Sequence, residues 1–195
     1  MYTVRISNAM NLNQDIFIFI NSIAFKYAWL DKLLVFLAND FGIILCFIAL
    51  IFFMLHRDTD VSEYAFSRIK RKLKEFIVIT SSVVGSWVLV SILKIVFSVP
   101  RPVEALEGVR SLIIYGTNDS FPSGHATFFA SLAMALYLYH KKLGILFFIG
   151  ALLVGFSRIA VGIHYPIDII GGYVLGLGTS FFLYKFFKFL SRKYL

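Results

Sequence analysis

The chain has 195 residues, of which 59% are hydrophobic and 15% charged, with 22 Phe and a net charge of +8. Soluble domains carry about 25% charged residues, so the composition excludes an ordinary soluble globule and requires the bilayer as a second apolar solvent. The single cysteine, Cys46, excludes an intrachain disulfide.

Met1–Gln14 is polar and lacks an apolar core followed by a small-residue cleavage site. The first membrane helix is therefore expected to act as the insertion signal. In Leu12–Ala38, apolar residues are interrupted by Asp15, Asn21, Lys26, Asp31 and Lys32. That pattern predicts one or two amphipathic helices lying in the interface, with a tilted sixth membrane helix as the alternative. Five continuous apolar runs follow: Phe41–Leu55, Phe76–Leu93, Ala126–Tyr139, Leu143–Gly162 and Ile167–Phe187. Their hydrophobicity does not alternate, so all are read as helices. The expected fold is all-α: one polytopic bundle over residues 1–195, with about five transmembrane helices in a core at 41–187 and interfacial helices at 12–38.

Basic residues cluster between or after these runs: Arg57 to Lys74, Lys141-Lys142, and Lys185 to Lys193. The positive-inside rule assigns such segments to the cytoplasm and gives the charge a role in topology and anionic-lipid attraction. No nucleic-acid partner is expected. The 98–124 loop and the 162–166 turn then share the opposite face. His125 lies 16 residues before Lys141, a helical rise of roughly 24 Å against a hydrocarbon core of about 30 Å. If Lys141 reaches the cytoplasmic surface, His125 is recessed near the outer headgroup level, where it can meet a lipid headgroup in place.

Ionisable groups are concentrated on that outer face, and at membrane depth such groups are functional candidates. Lys94, Arg101 and Arg158 would repel one another unless an anion held them together, and phosphate suits the arginine fork. Ser123 is a good N-cap, and Gly124 admits close backbone approach to a ligand at a helix start. His125 falls in that first turn. Pro166 is a natural first helical residue, which puts Asp168 in the first turn of the last helix, four residues after His164. A carboxylate there can orient an imidazole for attack. The residues read as a phosphoryl-transfer site: His164 the nucleophile, Asp168 its partner, His125 the acid and base, and Lys94, Arg101, Ser123, Gly124 and Arg158 the phosphate cradle.

Lys94-x6-Arg101-Pro102, Pro122-Ser123-Gly124-His125 and Ser157-Arg158-x5-His164-x3-Asp168 resemble, in order and spacing, the three signature motifs of the type 2 phosphatidic acid phosphatase and vanadium haloperoxidase superfamily. The resemblance implies the same residue roles, a reaction without metal or other cofactor, and a lipid phosphate substrate. Within the superfamily, the compact size and Gly155–Asp168 look like the bacterial undecaprenyl-diphosphate phosphatases, some of which carry Asp where this chain has Gly124. Phosphatidylglycerophosphate and phosphatidic acid are the alternative substrates. A non-enzymatic transporter would spread its charges through the membrane depth, whereas here they gather at one level.

Other residues have plainer readings. His56 and His140 are expected to pack at cytoplasmic helix ends. Asp119 and Ser120 are expected to cap a turn, and Glu104 and Glu107 to sit in a solvated loop. Tyr165 is expected at the lipid interface. Gly171, Gly172, Gly176 and Gly178 read as close helix packing.

Overall fold

The computed structural model describes residues 12–56, 65–114 and 119–194, and those residues form helices and loops without strands. Helix α1 is Leu12–Asn21, α2 Ala28–Ala38, α3 Asp40–Leu55 and α4 Ala65–Phe97. A short α5 (Pro102–Ala105) precedes α6 (Gly124–Tyr139), α7 (Lys141–Ala160) and α8 (Pro166–Tyr194).

Three of these helices are long and apolar enough to cross a membrane: α4 with its continuation to Ala105, α7, and α8. The α2–α3 pair makes a fourth candidate span, bent by 45° at its break. Helix α6 has only 16 residues, short of the roughly 20 that span alone. It packs at the centre against α4, α7 and α8, and Ala126, Thr127, Ala130, Ala133 and Ala135 are buried along it. Ile44, Phe47, Trp87, Ile92, Leu152 and Phe182, on the surrounding helices, are exposed, as an outer surface solvated by lipid requires. The chain is a multi-pass membrane protein.

Helix α4 runs well beyond the expected Phe76–Leu93, because its basic stretch Arg68–Lys74 consists of good helix formers that continue the turn pattern. Leu12–Ala38 forms two short helices, as the interrupted pattern implies. Helix α1 lies against α7 and α8, where Asn21 Nδ2 donates to the Ala160 carbonyl at 2.9 Å.

Close approach of α6 and α8 depends on two glycines. A Cβ on Gly172 would meet the Ser123 carbonyl at 2.7 Å, and one on Gly176 the Thr127 carbonyl at 2.3 Å. The same interface holds a buried Ser131–Ser180 hydroxyl pair at 2.7 Å. Gly178 does not share this role: open space surrounds the position where its Cβ would be. Gly178 lies two residues past Gly176, about 200° around the helix, which turns it away from α6.

Tyr165 also departs from expectation. It is buried, with its ring edge-on to Phe17 at 5.4 Å, because α1 covers it. His56 and His140 do pack at helix ends away from the motif residues. His140 Nε2 lies 2.6 Å from Glu75, and the two imidazoles meet edge-to-face.

Candidate active site

The three motif segments meet at one end of the bundle. Lys94 sits in the last turn of α4, and Arg101 is the N-cap of α5. His125 is in the first turn of α6, and Arg158 in the last turn of α7. Asp168 is in the first turn of α8, which begins at Pro166 as the sequence predicts. Gly162, at φ +93°, turns the chain after α7 and brings Ile163-His164 back under the loop at Arg110. Only glycine tolerates that backbone without strain.

His164 and Asp168 are each 1% exposed, with His164 Nδ1 3.4 Å from Asp168 Oδ2. The same oxygen accepts the Ser120 hydroxyl at 2.6 Å and the Tyr165 backbone N–H at 2.8 Å. With Nδ1 turned to the carboxylate, the other nitrogen points away from it. That Nε2 lies 3.4 Å from Arg101 Nη1. Burial pulls the pKa of the ring, which lies in the turn between two spanning helices, down to about 4, against the opposing effect of its hydrogen bond to Asp168. At neutral pH it is therefore uncharged and can offer a lone pair.

Arg101 is 2% exposed and fully engaged. Its Nη1 donates to the Ile163 carbonyl at 2.9 Å, and its Nε and Nη2 donate to Asp119 Oδ1 at 3.2 and 2.7 Å. Lys94 Nζ reaches the Asp119 backbone carbonyl and its Oδ2, the latter at 3.5 Å. One carboxylate thus sits between two of the three cations assigned to phosphate. Arg158, also buried, is tied to the α2–α3 corner, where Nη1 donates to the Ala38 carbonyl at 3.2 Å and to Asn39 Oδ1 at 3.4 Å. It is near enough to His164 to act on that ring's charge.

Ser123 is the N-cap of α6 by backbone geometry, but its hydroxyl makes no cap bond. The side chain is fully buried and its Oγ has no hydrogen-bond partner among the described residues, a cost of about 1–3 kcal/mol for a polar group held in reserve. Gly124 backs onto Lys94, whose Cε would lie 3.8 Å from an added Cβ. A side chain fits there sterically, so the glycine leaves room beside the lysine rather than relieving a clash. His125 is half-buried and faces a cavity of about 300 Å³. Gly42, Ile43 and Cys46 of α3, Trp87 of α4 and Phe128 of α6 are among the other residues that line it, with Asn39 at the α2–α3 corner.

The structure therefore brings together all eight sequence-assigned residues. It also adds two that the sequence reading gave to a turn. Ser120 is buried against Asp168, and Asp119 bridges Lys94 and Arg101. Their spacing offered no signal, since Asp168 lies 48 residues from Ser120. Glu104 is likewise more than loop solvation: its Oε2 accepts the Arg101 backbone N–H at 3.2 Å, at the start of α5.

Residues 75–192 match the PAP2 superfamily. The chain belongs to that superfamily. Among its relatives, undecaprenyl-diphosphatase BcrC of Bacillus subtilis is 30% identical over 175 residues, covering 90% of this chain and 84% of that protein. A Bacillus licheniformis relative named bacitracin transport permease protein BcrC is 33% identical, covering 89% and 79%. The crystal structure of Aquifex aeolicus LpxE superposes with a TM-score of 0.70 at 28% identity, covering 91% of this chain and 97% of that one.

Proposed function

We propose that this PAP2 protein hydrolyses a lipid diphosphate, undecaprenyl diphosphate, to the lipid monophosphate and inorganic phosphate. The observation that carries the reading is the buried Ser120–Asp168–His164 array, which leaves Nε2 of the histidine facing Arg101. The names borne by the B. subtilis relative and by other superfamily members support the substrate class.

In this reading Nε2 of His164 attacks the terminal phosphorus while the P–O bond to the bridging oxygen breaks. His125 gives its proton to that departing oxygen, and the lipid monophosphate leaves. His125 then takes a proton from water, the water oxygen attacks phosphohistidine, and the P–N bond breaks to release inorganic phosphate. Lys94, Arg101, Arg158, the Ser123 hydroxyl and the Gly124 N–H stabilise the equatorial oxygens. The apolar cavity beside His125 receives the first part of the lipid chain. Residues 1–195 act as one domain, with no metal step.

Phosphate release by the purified protein in detergent tests the reading. Undecaprenyl diphosphate, phosphatidylglycerophosphate and phosphatidic acid would be compared, with and without chelator. The diphosphate is expected to give the highest kcat/KM, unchanged by chelator. A tenfold preference for either glycerolipid would reassign the substrate, and loss of turnover with chelator would overturn the mechanism.

Two variants probe the added residues. Ser120→Ala removes a hydrogen bond to the charged carboxylate, worth about 1.5–3 kcal/mol. It is expected to lower kcat by roughly tenfold or more while KM moves little, with Ser120→Thr recovering part of the rate. Asp119→Asn removes the anion that competes with phosphate for Lys94 and Arg101. Its expected effect is tighter inhibition by vanadate, roughly tenfold, read from the inhibition constant.

The site is assigned to the extracytoplasmic side of the plasma membrane, as the basic clusters at the other end of the bundle support. In a Cys46→Ser background, cysteine at the exposed Glu107 position should react with an impermeant thiol reagent on intact cells. Labelling only after lysis would reverse the orientation.

A further inference from the structure

A second feature lies at the membrane face opposite the catalytic site and plays no part in the chemistry. Helices α4 and α8 touch near Gly85, where an added Cβ would meet Leu183 at 3.4 Å. Toward their far ends they enclose a groove of about 550 Å³. One face of α4 supplies Lys70, Lys74 and Ile77, at i, i+4 and i+7. One stripe of α8 supplies Phe187, Leu190 and Ser191, at i, i+3 and i+4. The walls are apolar, and Arg71 joins the two lysines at the rim.

Depth and charge together select an occupant. Lys74 and Lys94 are 20 residues apart on one helix, a rise of about 30 Å, which equals the hydrocarbon thickness. With Lys94 at one headgroup level, Lys74 stands at the other. Apolar Ile77 and Leu73 lie on the hydrocarbon side of that level or beside it, and Lys70 lies one turn outside it. Among the described residues no acidic side chain lines the groove, and Glu75, next to Lys74, is turned inward to His140 at 2.6 Å. A soluble anion would have no use for the apolar walls, and a neutral lipid none for the cations. A basic pocket between spanning helices suits an anionic phospholipid headgroup, with its chains against the protein.

We infer that the α4–α8 groove is a binding site for an anionic phospholipid of the leaflet opposite the catalytic site. The inference does not depend on which lipid phosphate the enzyme hydrolyses.

The test is lipid retention by the delipidated full-length protein, measured by native mass spectrometry with vanadate present to occupy the catalytic site. Phosphatidylglycerol and phosphatidylcholine are the probes, and inorganic phosphate is the competitor. Phosphatidylglycerol should be retained at least about fivefold better than phosphatidylcholine, with that advantage lost in the double variant Lys70→Gln/Lys74→Gln. The double variant should keep its phosphatase activity on a short-chain soluble substrate within about twofold, which shows that it is folded. Equal retention by wild type and variant would overturn the inference, as would displacement of the lipid by millimolar phosphate. A dimer mass that disappears in the variant would also overturn it, by assigning the groove to a second copy of the chain. If vanadate fails to inhibit phosphate release, the catalytic reading falls, while the comparison of wild type with variant still decides the groove.

Discussion

Replacing His164 with asparagine is expected to lower phosphate release by at least about 10⁴-fold, since removing a nucleophile abolishes the covalent route and leaves only residual stabilisation. The ring is buried and makes its polar contacts with Asp168, Ser120 and Arg101. Asparagine at this position keeps polarity near those groups but has no nitrogen with a free lone pair. Some stability is lost with the ring, about 1–3 kcal/mol for a buried partner left short of a hydrogen bond. A size-exclusion profile and melting curve close to wild type would show that the lost rate is chemical. Turnover within tenfold of wild type would remove His164 from the mechanism.

The second large effect is expected from Asp168→Asn, a fall in kcat of about 10³-fold or more. Asp168 Oδ2 accepts from Ser120 and from the Tyr165 N–H, and it faces His164 Nδ1. An asparagine can keep its oxygen toward the two donors or turn it toward the ring, but it cannot compensate the positive charge His164 acquires on attacking phosphorus. In a comparable catalytic array the same exchange costs about 10⁴-fold through the wrong tautomer. Lys94 and Arg101 are held by Asp119 and the Ile163 carbonyl, and Arg158 by the α2–α3 corner, so the vanadate inhibition constant should change by less than about threefold. A matched loss of vanadate binding would mean that the variant has disturbed the whole cradle. No rescue is expected at low pH, because burial already keeps the His164 ring neutral down to about pH 4.

Much of this site was legible in the sequence because its parts are local. Pro166 starts α8 and so places Asp168 one turn into it, four residues from His164. Ser123 and Gly124 open α6 at the position where the apolar run begins. Each motif is a helix end, and helix ends have strong sequence signals. The residues that escaped are those whose partners are distant in the chain. Ser120 and Asp119 belong to a loop whose meaning depends on Asp168, Arg101 and Lys94 arriving from three other elements. Asn39 and the Ala38 carbonyl hold Arg158 across more than one hundred residues. Tyr165 departs from the lipid interface expected of it for the same reason, since its burial depends on α1 folding back over it. The extent of α4 was missed on different grounds. A run of lysine and arginine ends an apolar pattern but does not end a helix.

The most direct test of the account is the covalent intermediate itself. Wild-type protein and the His125→Ala variant would be mixed with substrate, quenched in base, where phosphohistidine survives, and mapped by peptide mass spectrometry. His125 also protonates the departing lipid monophosphate, but that group leaves readily as an anion whereas water attacks poorly without a base, so its removal should slow release of phosphate from the enzyme more than transfer to it. The account predicts a phosphoryl group on His164, more abundant in His125→Ala than in wild type and absent from His164→Asn. A phosphoryl group on another residue, or turnover with none trapped on His164 in either protein, would contradict it.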